Sequence, residues 1–226
     1  STMAESLLLA SMTVSGGFAD KVAAMTSSHF ASSERQYRFP LGYGGQRTPT
    51  AQWTVTGSGA ALVCAEGKGP KVTAATVGMV TDLGIKDANN MGAAMAPAAF
   101  NTICAHFDDL KTGPEDFDLI VTGDLGQLGK ELLIQLALKN GVPLGGKLTD
   151  CGTLVFDNTK QDVHSGGSGC GCSAITLCGD LLNKLNTGKL KKILFCGTGA
   201  LLSPTSTQQG LPIPGVCHAV SITGGN

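Results

Sequence analysis

The chain alternates amphipathic stretches of helical spacing with short apolar runs of strand length, a pattern typical of α/β proteins. The first helix is predicted from residue 2 to the glycines at 16 and 17, and further helices over residues 89–110, 126–140 and 172–185. Strands are predicted over residues 21–25, 52–56, 60–65, 71–80, 117–122, 153–156, 191–196 and 216–222. The order of elements therefore predicts sheets covered by helices.

Local signals mark several of these element ends. Thr2 and Glu5 form a capping-box pair at the start of the first helix. Gly141 is expected to close the helix over residues 126–140 in a left-handed conformation. Pro97 is expected to kink or split the helix over residues 89–110. The glycines around Ser58 predict a hairpin between two strands.

One supersecondary unit occurs twice along the chain. Residues 1–29 and 171–200 share the same order: a small polar start, an apolar helix, a glycine turn, a basic residue and a buried strand. This repetition predicts a duplicated fold, in which residues 1–68 complete a first half and residues 69–226 form a second. Because about 100 residues precede the shared helix in the second copy only, we expect the first half to be incomplete in this chain.

The composition restricts the functional class. Hydrophobic residues make up 42% of the chain and the net charge is -1, which argues against a disordered or nucleic-acid-binding protein. No apolar run approaches the ~20 residues of a membrane-spanning helix. Eight cysteines are present, and those within apolar periodic segments are expected to be buried, reduced thiols: Cys64, Cys104, Cys178 and Cys196.

Several sequence stretches resemble a known family. They are STMAES at 1–6, TSSHF at 26–30, RQYRFP at 35–40, QRTPTAQWTVTG at 46–57, HSGGSGCGCS at 164–173 and PGVCHA at 214–219. These runs are similar to the stage V sporulation protein AD family of spore-forming bacteria, within the thiolase-like superfamily. The resemblance implies an α/β thiolase-like duplicated fold with α-β-α-β-α layers. In thiolase-like enzymes the nucleophilic cysteine opens the central helix of the first half, and here that position falls at or just before Ser1.

The resemblance also implies a function and a location. The implied ligand is dipicolinate (pyridine-2,6-dicarboxylate), which is taken up into the developing spore together with membrane-embedded stage V sporulation subunits. The implied location is peripheral, at the cytoplasmic face of the spore inner membrane, without a transmembrane segment. Thiolase-like proteins commonly dimerise, so a homodimer is expected.

The residues argue against catalysis. A condensing enzyme needs a histidine after the strand over residues 117–122, but Gly123 and Asp124 follow that strand. A second His or Asn is expected in the glycine-rich loop at residues 165–172. This loop contains no asparagine, and His164 lies just upstream of it. We therefore predict a non-catalytic binder that needs no cofactor. A residual thiolase-type or ketoacyl-synthase-type acyltransferase and a purely structural adaptor of a membrane complex stay open as alternatives.

A dianionic aromatic ligand calls for guanidinium groups, helix N-terminal N–H groups and a flat slot. Arg47 is the preferred carboxylate partner, ahead of Arg35, and Arg38 is the other candidate. Cys170 and Cys172 do not form a metal motif without a second pair of ligands, and His106 is expected on a helix surface. The predicted ligand-binding residues are Ser1, Thr2, His29, Arg38, Arg47, Asp124, Ser165, Gly166, Ser168 and His218.

Overall fold

The computed structural model describes residues 2–33 and 45–225. Its α-helices are α1 (Thr2–Ser15), α2 (Met91–Leu110), α3 (Gly126–Lys139), α4 (Cys151–Leu154), α5 (Cys170–Thr176), α6 (Leu182–Asn186) and α7 (Pro204–Gln208). Its strands are β1 (Lys21–Ser28), β2 (Trp53–Thr54), β3 (Gly57–Cys64), β4 (Lys71–Thr76), β5 (Leu119–Thr122), β6 (Leu148–Asp150), β7 (Gly167–Ser168), β8 (Lys192–Ala200) and β9 (Gly215–Thr223). A π-helical turn, Leu177–Leu181, joins α5 to α6.

The central element is a five-stranded sheet in the order β4-β9-β8-β5-β6. β5 is parallel to β6 and β8, whereas β9 is antiparallel to β8 and β4. The central strands read as apolar runs because both of their faces are covered. Ile193 and Phe195 belong to the core on one face, whereas Leu194 and Cys196 belong to the core on the other.

The two cores define the layers. On one face, α2 and α3 pack against the sheet. On the other face, α1 and α5 pack between this sheet and the antiparallel pair β1–β3. The described residues therefore form successive α, β, α and β layers, as the predicted duplicated fold requires.

Helices α2 and α3 approach each other at two glycines. A Cβ atom added to Gly129 would lie 2.8 Å from the Cα of Gly92, and a Cβ added to Gly92 would lie 2.8 Å from the Cα of Gly129. Real Cβ atoms do not come so close to backbone, so the crossing depends on both glycines.

Three predictions about individual elements are wrong. Gly57 and Gly59 lie inside β3, which pairs with β1, so the predicted hairpin is absent from the described chain. These glycines let β3 approach α5: a Cβ at Gly59 would lie 2.6 Å from the carbonyl oxygen of Ala174. Residues 151–154 form α4 instead of a strand. β1 is largely half-buried or exposed instead of fully buried.

Other local predictions are confirmed. α1 begins at Thr2, and Gly141, which follows the C-cap residue Asn140 of α3, has a φ of 76°. By contrast, the predicted split at Pro97 is wrong, because α2 continues through Pro97 as one helix. All eight cysteines are free thiols, but of the four expected to be buried only Cys196 is, whereas Cys64, Cys104 and Cys178 are half-buried.

Candidate functional site: the carboxyl edge of the central sheet

The carboxyl ends of β5 and β8 meet the start of β9 at one edge of the central sheet. Thr122, the last residue of β5, pairs with Cys196 in β8. β9 begins at the same edge, where His218 lies opposite Gly197. Ligands of open α/β sheets bind outside the carboxyl ends of the strands, so this edge is the candidate site.

Asp124 occupies the turn between β5 and α3. Its Oδ2 accepts a hydrogen bond from the backbone N–H of Gly169 at 2.9 Å, and its Oδ1 accepts one from the hydroxyl of Thr198 at 3.0 Å. The backbone N–H of Asp124 donates in turn to the Thr198 hydroxyl oxygen at 3.1 Å. Asp124 therefore fastens the glycine-rich loop to the end of β8, and its carboxylate serves as a hydrogen-bond acceptor there.

A second carboxylate, Asp150, lies fully buried beneath the same turn. Its oxygens accept from the hydroxyl of Thr122 at 2.8 Å and from the N–H groups of Leu125 at 2.9 Å and Gly126 at 3.0 Å. Burial raises the pKa of Asp150 to about 6, against the lowering effect of the Thr122 hydrogen bond and with a further raising effect of Asp124. Asp150 is absent from the predicted site because the sequence pattern puts the nearby strand at residues 153–156.

His218 lies on β9 at this edge and is half-buried. Its Nδ1 accepts a hydrogen bond from the backbone N–H of Gly78 at 3.1 Å. Burial lowers the pKa of His218, and the carboxylate of Glu5 opposes that effect. Because Nδ1 is occupied as an acceptor, Nε2 is the ring nitrogen that can donate to a ligand.

The beginning of α1 belongs to the same region, since α1 packs against β8 and β9 and the Glu5 carboxylate in its first turn acts on His218. Thr2 is its first described residue and is exposed. Ser1, Arg35 and Arg38 lie outside the described residues. His29 is exposed, and its Nδ1 accepts from the N–H of Ala31 at 3.1 Å, so it caps the short 3-10 turn that follows β1.

The glycine-rich loop supports α3 as well as the site. The hydroxyl oxygen of Ser165 accepts from the N–H of Leu128 at 3.2 Å, and its carbonyl oxygen accepts from Gln127 at 2.7 Å. Gly166 has a φ of 106°, a conformation that favours glycine. Ser168 is buried in β7 and pairs with Thr54 of β2. Ser165 and Ser168 are therefore structural members of the loop.

Arg47 lies in a separate cluster. Its Nη2 donates to the Oδ2 of Asp162 at 2.6 Å and to the carbonyl oxygen of Asp162 at 2.9 Å. Its guanidinium carbon lies 4.6 Å from the centre of the Trp53 ring. The indole N–H of Trp53 also donates to the Asp162 carbonyl, at 3.0 Å.

His164 joins this cluster from a left-handed backbone conformation, with a φ of 50°. Its Nδ1 lies 2.6 Å from the carbonyl oxygen of Thr48, and its Nε2 lies 3.1 Å from the Oδ1 of Asp162. Since a carbonyl oxygen can only accept, Nδ1 is the donor in the contact with Thr48. His164 therefore ties the segment after residue 45 to the loop after α4.

The structure divides the described members of the predicted site into groups. Asp124 and Ser168 lie together at the sheet edge, and His218 and Thr2 lie on elements that meet there. Arg47 belongs to the Asp162 cluster, and among residues 2–33 and 45–225 it makes no hydrogen bond or ion pair with Asp124. The two groups are connected through β2 and β7, because Gln52 donates to the carbonyl oxygens of both Asp124 and Gly167, each at 2.9 Å.

At the sheet edge, the carboxylates of Asp124 and Asp150 are held by hydrogen bonds from hydroxyl and backbone N–H groups. Burial raises the pKa of the thiols of Cys151 and Cys172 well above the usual value, so both stay protonated and poorly nucleophilic. The described residues contain no group of three or more His, Cys, Asp or Glu side chains suited to a metal ion. Asp124 follows β5, where a condensing enzyme needs a histidine, and its carboxylate accepts hydrogen bonds from Gly169 and Thr198.

The layered arrangement of helices and sheets is that of the thiolase-like class of proteins. A 3-oxoacyl-[acyl-carrier-protein] synthase III from Aquifex aeolicus is 14% identical, with a TM-score of 0.55 over 98% of this chain and 63% of its own. The corresponding synthase from Pseudomonas aeruginosa is 12% identical, with a TM-score of 0.59 over 99% of this chain and 65% of its own. At these identities the likeness shows the fold alone.

The family follows from the sequence comparison. The model of the family "Stage V sporulation protein AD" matches residues 1–223. The stage V sporulation protein AD of Bacillus subtilis is 47% identical over 220 residues, which is 97% of this chain and 65% of that protein. The chain belongs to the stage V sporulation protein AD family and spans just under two thirds of the length of this relative. Within residues 2–33 and 45–225, no helix is both long and apolar enough to cross a membrane.

Proposed function

We propose that this protein is a non-catalytic, thiolase-fold binder of dipicolinate that assists uptake of this compound into the developing spore. One observation carries the proposal: the carboxylate of Asp124 is bound by Gly169 and Thr198, in the place where a condensing enzyme would need a general acid. Family membership supports the sporulation role. The fold is retained while its chemistry is not.

The proposed recognition uses Arg47 as the partner of a ligand carboxylate. Arg47 is the described arginine of the predicted site, and its guanidinium is already positioned by Trp53 and Asp162. Ser1, Thr2, Arg38, Asp124, Gly166 and His218 stay proposed ligand-binding residues, whereas Ser165 and Ser168 hold the loop and His29 caps a turn. The proposed partners are membrane-embedded stage V sporulation subunits and a second copy of this chain, and the proposed location is the cytoplasmic face of the spore inner membrane.

Calorimetry on the full-length protein tests the function. We expect saturable binding of dipicolinate and no turnover of an acyl-CoA thioester, because Asp124 follows β5 where a condensing enzyme needs a histidine. Formation of an acyl-enzyme would favour the acyltransferase alternative. Binding of neither compound would favour the adaptor alternative.

A pair of arginine variants tests the placement of the ligand. Arg47→Ala should weaken dipicolinate binding by about tenfold or more, since a charge-assisted pair with a carboxylate contributes roughly 1.5–3 kcal/mol. Arg35→Ala should have the smaller effect. Equal and negligible changes in the dissociation constant would refute a ligand site at Arg47.

A further inference from the structure

A cavity of about 700 Å³ lies at the end of the central sheet opposite the candidate site. Its walls include Val72 at the start of β4 and Ile222 of β9, which pair with each other. Ile222 also pairs with Ile193 near the start of β8, whereas the candidate site lies beyond Cys196 at the other end of that strand. The cavity has the size of a small-molecule site and is separate from the candidate site.

The inner walls of this cavity are aliphatic. Leu7 and Val14 come from α1, and Val63 comes from β3. Leu177 and Leu182 come from the π-helical turn and from α6. None of the described residues that line the cavity is aromatic. Branched aliphatic walls without a ring to stack on favour a flexible alkyl chain over a planar aromatic ligand.

Ser11 places a hydroxyl group in the wall of the same cavity. It lies one helical turn from both Leu7 and Ser15, which also line the cavity. The Oγ of Ser11 is shielded from solvent and, among residues 2–33 and 45–225, has no hydrogen-bond partner. A buried hydroxyl without a partner is destabilising, so this group gains from a hydrogen bond to a ligand.

Two lysines line the cavity where the chain passes from β3 to β4. Lys68 and Lys71 are both exposed, and Glu66 is the acidic residue that lines the cavity with them. Neither lysine forms an ion pair with another residue of the described chain. With two positive charges against one negative charge, this border of the cavity is complementary to an anion.

We propose that this cavity binds a free medium-chain aliphatic carboxylate, with its alkyl chain between α1 and α6 and its carboxylate at Ser11, Lys68 and Lys71. The aliphatic walls remove the chain from water, the Ser11 hydroxyl donates to a carboxylate oxygen, and the lysines attract the negative charge. This binding goes beyond the proposed function, because the cavity shares no residue with the site proposed for dipicolinate.

Calorimetric titration of the full-length protein with octanoate tests this proposal. The wild type should bind saturably, and the double variant Lys68→Gln/Lys71→Gln should have a dissociation constant about fivefold higher. Ser11→Ala should raise the dissociation constant by about threefold without lowering the midpoint of thermal unfolding, because it removes a hydroxyl that has no partner. Lys139→Gln is the matched control, since Lys139 is exposed on α3 and does not line the cavity; its dissociation constant should equal that of the wild type.

Two further compounds identify the chemistry that is recognised. Octan-1-ol has the same chain without the charge and should bind about fivefold more weakly than octanoate. Saturating dipicolinate should leave the affinity for octanoate unchanged, because the two sites are separate.

Several results would overturn this proposal and leave the proposed function intact. They are absence of octanoate binding by the wild type, unchanged affinity in both cavity variants, equal weakening in Lys139→Gln, and competition by dipicolinate. Association with phosphatidylglycerol vesicles but not with octanoate also overturns it, since the recognised chain would then belong to a lipid. Failure of dipicolinate to bind concerns the proposed function alone.

Discussion

His106 and Asp150 are fully buried ionisable side chains, and their burial makes the free energy of unfolding depend on pH in opposite directions. His106, expected on a helix surface, is instead enclosed: its Nδ1 lies 2.8 Å from the hydroxyl oxygen of Thr76 and its Nε2 lies 2.8 Å from that of Ser221. Burial lowers the pKa of His106 to about 4, with an additional lowering effect of Lys192. The imidazole is therefore neutral in the folded protein at pH 7.

The two groups have opposite pH dependences over almost the same range. For His106 the folded pKa of about 4 lies below the ordinary 6.5, so its contribution is present above pH 6.5 and is lost as the pH falls toward 4. For Asp150 the folded pKa of about 6 lies above the ordinary 3.8, so its contribution is present below pH 3.8 and is lost as the pH rises through 6.

Variants at these positions should change the pH dependence of stability in opposite directions. In His106→Gln, the free energy of unfolding should rise relative to wild type on going from pH 6 to pH 4. In Asp150→Asn, it should fall over the same interval. Each relative change is on the order of 3 kcal/mol at most. Denaturant unfolding at several pH values measures both slopes, and slopes that move in the same direction would contradict the assignment.

Some properties of the site residues could be predicted from sequence and others could not. The position of Asp124 after β5 follows from the local pattern of a buried strand and a turn. The pairing of Arg47 with Asp162 joins residues 115 positions apart, which no local pattern reveals. The same limit applies to His106, whose partners come from two different strands.

At the scale of elements, the crossing of α2 and α3 gives a direct test of packing. Gly129→Ala should lower the free energy of unfolding by about 1–3 kcal/mol, because its Cβ would meet the backbone of α2, which cannot move aside. Gly179→Ala is the matched control, since nothing lies within 4 Å of its added Cβ. The control should be unchanged or slightly more stable. Equal effects of the two substitutions in chemical denaturation would show that the helices are not in close contact.

The elements that the sequence predicts well are those whose pattern is set locally. α1 is an apolar run closed by two glycines, α3 has amphipathic spacing, and β8 is a long apolar run. The predicted hairpin fails because glycine signals both turns and close packing, and here Gly57 and Gly59 serve packing against α5. The predicted strand at residues 153–156 fails because a short apolar run fits either kind of element.

At the scale of the whole molecule, hydrophobic periodicity predicts the fold class, and the resemblance to a known family predicts the particular fold. Alternating helices and strands indicate an α/β protein, while the stage V sporulation motifs identify the thiolase-like fold. The division into halves at residues 1–68 and 69–226 stays a prediction. It agrees with a central sheet whose first strand opens at Lys71.

Trp53 is the single tryptophan of the chain. Its ring contacts Phe30 and Arg47, and its N–H bonds to Asp162. Any event that moves Asp162 or Arg47 therefore changes the electric field and the quenching at one defined indole. The molecule carries an intrinsic fluorescent probe at the junction of two distant loops, with no other tryptophan to obscure its emission.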